Sequence, residues 1–240
     1  MTPRPLVLAA HGTADPAGQA VVEQVAARVA DVLGVPHQVG YVDVCGPTLA
    51  EVLAGPSDAG DDLDPAVVVP YFLATGYHVR HDVPTAVEQV DGVVVTPALG
   101  VEDEVVTALV DRVQEAWAES STSPHEVGVD AVLLTAAGSS VDAAREEVAR
   151  LADLLGERLG IPSSVAFLSG PGPRPEDELA RLRAAGHARI VLATHLLAPG
   201  FFADRASVIA AEHGAVATDV VGSHQAIVDL LVRRYRQALP

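Results

Sequence analysis

Short runs of β-branched and aliphatic residues alternate along this chain with longer stretches in which apolar positions return every three or four residues. The short runs predict strands at residues 5–10, 37–44, 66–72 and 92–96. Segments of helical period follow them at about 17–33, 47–54, 83–90 and 101–119. A polar, small-residue stretch, Glu119-Ser120-Ser121-Thr122-Ser123-Pro124, then interrupts the pattern and reads as a linker. Beyond it the order resumes, with strands near 129–135, 163–168, 188–194 and 215–221 and helices near 141–159, 175–185, 203–212 and 224–238. Strands alternating with helices in this way predict an α/β fold with mainly parallel sheets flanked by helices.

The two halves can be laid on one another. Leu6-Val7-Leu8-Ala9-Ala10-His11-Gly12-Thr13 matches Val132-Leu133-Leu134-Thr135-Ala136-Ala137-Gly138-Ser139 at an offset of 126, and Leu73-Ala74-Thr75-Gly76-Tyr77-His78 matches Leu197-Ala198-Pro199-Gly200-Phe201-Phe202 at 124. Nearly equal offsets, each at a strand-to-loop junction, argue for internal duplication. We therefore expect two similar domains, residues 1–122 and 123–240. Ala137 and Phe202 stand where the first half has His11 and His78, and neither can bind metal or move protons. A site built at these positions is competent in the N-terminal copy and degenerate in the C-terminal one.

The formal net charge of −17 disfavours nucleic acid and membrane surfaces as partners. All fifteen basic residues are arginine, and residues 1–122 carry four of them against eighteen acids, so the first half is the more attractive to cations. The single cysteine, Cys45, rules out an intramolecular disulfide and a thiolate zinc cluster, and reads as a small buried apolar residue. No signal-peptide pattern opens the chain, and no apolar run approaches the roughly 20 residues of a membrane span. A cytoplasmic, monomeric protein is the expectation.

Open α/β sheets bind ligands beyond the carboxyl ends of their strands. That is where His11 follows the first strand, Asp43 ends the second and His78 follows the third. Asp43 sits in an apolar strand end, where a carboxylate is costly unless paired, coordinated or solvated, and is a candidate partner to a metal ligand or acid–base catalytic group. Gly12-Thr13 and Gly76 let the backbone turn tightly and approach a ligand closely, with Asp15 capping a helix that starts at Pro16. His81, three residues after His78, offers a two-histidine clip or a solvent-facing neighbour. Asp82, before Val83-Pro84, reads as a helix cap. His37, His125, His187, His213 and His224 read as surface or capping residues, and His195 as a hydrogen-bonded packing residue. No P-loop or GxGxxG fingerprint points to a nucleotide.

Taken together, these residues resemble the sirohydrochlorin chelatases of the long, two-domain CbiX/SirB type. His11-Gly12-Thr13 is similar to that family's His-Gly-Ser/Thr. Pro70 through Pro84 resembles its Pro-x-Phe-Leu-x-x-Gly-x-His-x-x-x-Asp-Ile-Pro, and Pro47-Thr48-Leu49 its Glu-x-x-x-Pro-x-Leu segment. The resemblance implies a chelatase that inserts Fe²⁺ or Co²⁺ into sirohydrochlorin, for sirohaem or cobalamin, with the metal as substrate and no prosthetic group. It implies that His11 and His78 bind the metal and accept pyrrole protons, with Asp43 where many relatives have glutamate. Histidine suits both tasks near neutral pH. Thr13, Gly76, Arg80 and Arg205 are the candidate contacts to the macrocycle, the arginines meeting its carboxylates along with Arg174. Two rival readings use the same histidines: a non-catalytic metal or tetrapyrrole carrier, and a phosphate-ester hydrolase or transferase, which lacks an evident arginine pair.

Overall fold

The computed structural model describes residues 4–55, 65–88, 90–120 and 128–239. In chain order the elements are β1 Leu6–Ala10, α1 Pro16–Leu33, β2 His37–Tyr41, α2 Leu49–Ala54, β3 Val67–Pro70, α3 Tyr77–Arg80, α4 Asp82–Val87, β4 Val94–Val95 and α5 Asp103–Ser120. They continue as β5 Ala131–Ala136, α6 Asp142–Leu159, β6 Ser163–Phe167, α7 Pro175–Ala184, β7 Ile190–His195, α8 Phe201–Glu212, β8 Val216–Ala217 and α9 Gln225–Gln237. The strands form two four-stranded parallel sheets, ordered β2-β1-β3-β4 and β6-β5-β7-β8. No helix among the described residues is long and apolar enough to cross a membrane.

Helices cover both faces of each sheet, which is why the central strands β1, β3, β5 and β7 are buried along their whole length and read as unbroken apolar runs. In the first sheet Val7, Ala9 and Val68 pack with Leu49 of α2 and Val83 of α4. The alternate residues Leu6, Leu8, Val67 and Val69, also buried, point to the opposite face, where α1 meets β1 and α9 meets β3. In the second sheet Leu133, Leu168 and Leu192 pack with Leu179 of α7 and Ile209 of α8, while α5 and α6 contact β7 and β5.

The compact units do not follow the sequence division at 122. One consists of Met1–Gly100 with Gly222–Pro240, the other of Val101–Val221. Helix α5, which closes the first repeat, packs in the second unit, and α9, which closes the second repeat, packs in the first. Arg234 donates to the carbonyls of Ala98 and Leu99, and the Tyr235 hydroxyl donates to that of Arg4, so α9 is tied to the first unit by polar contacts as well as apolar ones.

Several local expectations are corrected. Strands β4 and β8 have two residues each, far fewer than the apolar runs at 92–96 and 215–221. Strand β2 ends at Tyr41, so Asp43 lies in the loop beyond it. Glu119 and Ser120 finish α5 instead of opening a linker, and the rest of that stretch lies outside the described residues, as does His125. His195 is buried, yet its Nε2 has no hydrogen-bond partner among the described residues. His224 does cap a helix: its Nδ1 accepts from the Ala226 amide.

Candidate metal centre

The first sheet reverses its order between β1 and β3, since the chain steps from β1 to β2 on one side and to β3 on the other. A crevice forms outside the strand ends at such a point. His11 follows β1 directly, and the backbone there is stitched to the loop after β2: the amide of Val42 donates to Ala10 O at 3.0 Å and that of Asp43 to His11 O at 2.9 Å. Gly12 has φ +100, and a Cβ on it would stand 2.1 Å from the Asp43 carbonyl oxygen, so no other residue lets the two loops approach this closely.

The loop then turns sharply. The Cys45 amide donates to Asp43 O at 2.7 Å across Val44, whose φ is +65. This γ-turn puts a β-branched residue in the left-handed region, a strain on the order of 1–3 kcal/mol. The turn leaves the Asp43 side chain exposed, with Oδ1 accepting from the Val44 amide at 2.7 Å. Cys45 is half-buried beside Gly12, its Sγ 3.2 Å from where a Cβ on that glycine would lie.

His78 stands on the single turn of α3, entered through Gly76, whose φ of −80 is ordinary extended backbone. The His78 ring meets that of His11 edge to face, with centroids 4.4 Å apart. Its Nδ1 lies 2.5 Å from Asp82 Oδ2, and the Nδ1 of His11 lies 3.2 Å from Gly12 O. With Nδ1–H donated in each case, both rings keep their Nε2 lone pairs for an ion.

One ligand atom from each of His11, Asp43 and His78 lies within 4.8 Å of the other two. An ion with bonds of about 2.1 Å holds ligands at most about 4.2 Å apart, so small side-chain movements close the three onto a metal. Two imidazoles and one carboxylate suit Fe²⁺, Co²⁺ and Ni²⁺ alike. A three-ligand set leaves coordination positions open, and His11 and Asp43 are exposed to solvent.

The other residues singled out from the sequence lie as follows. Thr13 holds the turn into α1, its hydroxyl accepting from the Asp15 amide and its carbonyl from the Gln19 side chain. Arg80 is exposed and donates Nε–H to Thr75 O at 2.9 Å. Arg205 is exposed on α8, in the second unit. Arg174, at the start of α7, is committed to the carbonyls of Phe167 and Gly170. His81 is outside the three-ligand group, and its ring lies 4.6 Å from that of Tyr77.

Two features escaped the reading of the sequence. Asp82 opens α4, and its carboxylate holds His78 on α3, a contact signalled by their spacing of four residues. Tyr77, largely exposed, lies edge-on to His78 at 5.9 Å. Burial and the adjacent Glu23 push the Tyr41 hydroxyl up to about 12, and burial raises that of Tyr71.

Comparison with known proteins decides the family. The model of the CbiX family matches residues 5–116 and again residues 131–238. The chain belongs to the CbiX family. It is 28% identical over 141 residues to the sirohydrochlorin cobaltochelatase of Methanopyrus kandleri, covering 48% of this chain and 97% of that one. It is 26% identical over 176 residues to the sirohydrochlorin ferrochelatase of Priestia megaterium, covering 70% of this chain and 63% of that one. The structure of SirB from Bacillus subtilis with Fe³⁺ superimposes with a TM-score of 0.80 at 20% identity, over 99% of this chain and 96% of SirB. At that identity the likeness speaks for the fold. The two four-stranded parallel sheets flanked by helices are the architecture of this family.

Proposed function

We propose that this chain is a sirohydrochlorin chelatase that inserts Fe²⁺ or Co²⁺ into its macrocycle. The observation that carries the reading is the convergence of His11, Asp43 and His78 at the reversal point of the first sheet. The chemistry suits this set. The reaction takes a divalent ion and a free-base macrocycle to the metallated product and two protons, so the site must hold the ion briefly and accept protons. His11 and His78 offer Nε2 to the ion while Asp43 offsets its charge. The open positions let pyrrole nitrogens enter as water leaves; as the ion passes to them each imidazole's Nε2 is freed, accepts a released proton and passes it to solvent. A closed four-ligand site would retain the ion.

The N-terminal repeat, residues 1–122, then carries the active site, and residues 123–240 carry the degenerate copy. Arg80 and Arg205 are the guanidinium donors offered to the macrocycle's carboxylates, and the Thr13 and Gly76 turns shape the approach to the histidines. We place the enzyme in the cytoplasm as a monomer, without a prosthetic group and without nucleic acid or membrane partners.

The test is anaerobic metallation of sirohydrochlorin followed by absorption spectroscopy. The purified protein should exceed the spontaneous rate with Fe²⁺ or Co²⁺, and His11→Ala or His78→Ala should lower turnover at least about 100-fold. Binding without acceleration would mark a carrier and overturn the catalytic reading.

A further inference from the structure

The structure assigns Asp82 a task in the same site: it is the positioning residue that fixes His78 as an Nε2 ligand. This inference rests on the metal-centre reading above and deepens it. The His78 Nδ1 to Asp82 Oδ2 distance is 2.5 Å, and both side chains are about one-third exposed. Asp82 is the first residue of α4, where an acidic side chain ordinarily serves the free amides of the first turn. Here that use is closed off. Pro84 has no amide hydrogen, and the Thr85 amide donates to the His81 carbonyl at 3.0 Å. The carboxylate instead turns back one helical turn to the imidazole.

Three consequences follow from that bond. Donation of Nδ1–H to a carboxylate selects the tautomer whose lone pair is on Nε2, restrains the ring orientation and raises ligand basicity. His11 has a weaker restraint, a carbonyl of its own neighbour at 3.2 Å. His78 is therefore the fixed ligand of the pair and His11 the more adjustable one. The second repeat supplies an independent observation. Phe202 replaces His78, and four residues further on, where Asp82 stands in the first repeat, the chain has Ala206. The carboxylate is missing where the imidazole is missing.

The experiment uses the full-length chain and Co²⁺ alone as probe. Co²⁺ affinity is read from its visible absorption, and the His78 tautomer from imidazole ¹⁵N shifts in the metal-free protein. Asp82→Asn keeps the shape but accepts or donates with equal ease. It should weaken Co²⁺ binding about 10- to 100-fold and give mixed tautomers at His78, with the melting temperature unchanged. Asp82→Glu, which restores the charge, should recover part of the affinity. If Asp82→Asn leaves affinity and tautomer as in the parent while His78→Ala abolishes binding, the positioning role is wrong and the metal site stands. If His78→Ala also binds Co²⁺ as the parent does, the metal site itself falls, and Asp82 with it.

Discussion

The loops after the first and second strands of the two repeats have the same backbone and different side chains. A Cβ on Gly12 would lie 2.1 Å from the Asp43 carbonyl oxygen, and one on Gly138 would lie 2.1 Å from that of Ser169. The Asp43 amide donates to His11 O at 2.9 Å, and the Ser169 amide to Ala137 O at 2.8 Å. Tyr41 N bonds Pro47 O, and Phe167 N bonds Pro173 O, both at 2.9 Å. Thr13 and Ser139 use their hydroxyls alike, each accepting from the amide two residues on. Upon this common frame His11, Asp43 and His78 become Ala137, Ser169 and Phe202. The frame is held by main-chain bonds and glycine geometry, so the side chains at these positions can change without loss of the backbone.

Crowding the two glycines tests the equivalence of the loops most severely. Gly12→Ala and Gly138→Ala each force a Cβ into a carbonyl at positive φ, and each should cost about 4 kcal/mol in urea unfolding. Only Gly12→Ala should also abolish Co²⁺ binding. Unequal stability losses would show that the loops are not equivalent.

A second contrast lies at the ends of β3 and β7. Tyr71 donates its hydroxyl to Gly222 O at 2.9 Å, whereas the equivalent His195 buries an unpartnered Nε2. Burial lowers the His195 pKa from its ordinary 6.5 to about 4. The unfolded chain therefore binds more protons than the folded one between these values. Stability rises with pH through this window, and about 3 kcal/mol present above pH 6.5 is lost on acidification to pH 4. His195→Leu should remove that share of the acid sensitivity, seen as a smaller fall in unfolding free energy between pH 7 and pH 4.5. Tyr71→Phe should cost about 1–2 kcal/mol at pH 7 by leaving the buried Gly222 carbonyl without this donor, with no comparable acid response.

The helices after β2 and β6 differ at their first turns. Thr48 forms a full capping box with Glu51 at the start of α2, while Arg174, at the matching place before α7, makes no side-chain cap. Thr48→Ala should lower stability by about 1 kcal/mol, measured by thermal unfolding. A larger loss would mean that this loop also supports Asp43.

Much of this architecture is legible in the sequence because buried parallel strands and amphipathic helices have different periods. Duplication is legible too, through His11-Gly12-Thr13 and Ala137-Gly138-Ser139. The site is legible as far as strand ends locate residues, which brings His11, Asp43 and His78 to one edge of one sheet. The γ-turn at Val44 leaves no such trace, since a valine at φ +65 is imposed by the surrounding loop and not by its own preference. The contact of Asp82 with His78 is ambiguous in the sequence, because an acid two residues before a proline has the same pattern whether it caps a helix or bonds an imidazole four residues earlier. Strands β4 and β8 are overestimated because apolar runs continue past the paired residues into buried loop positions such as Ala98 and Val221. The destinations of α5 and α9 are hidden for a further reason: an apolar stripe states that a helix is covered, not by which sheet.

That last feature sets an order of assembly during synthesis. Residues 101–221 form one uninterrupted unit and can condense as soon as they emerge from the ribosome. The unit holding both histidines must wait for residues 222–239 to arrive, although its own strands are made first. Until then β3 lacks its α9 cover, and the unit of residues 101–221 is complete before the one that carries His11 and His78.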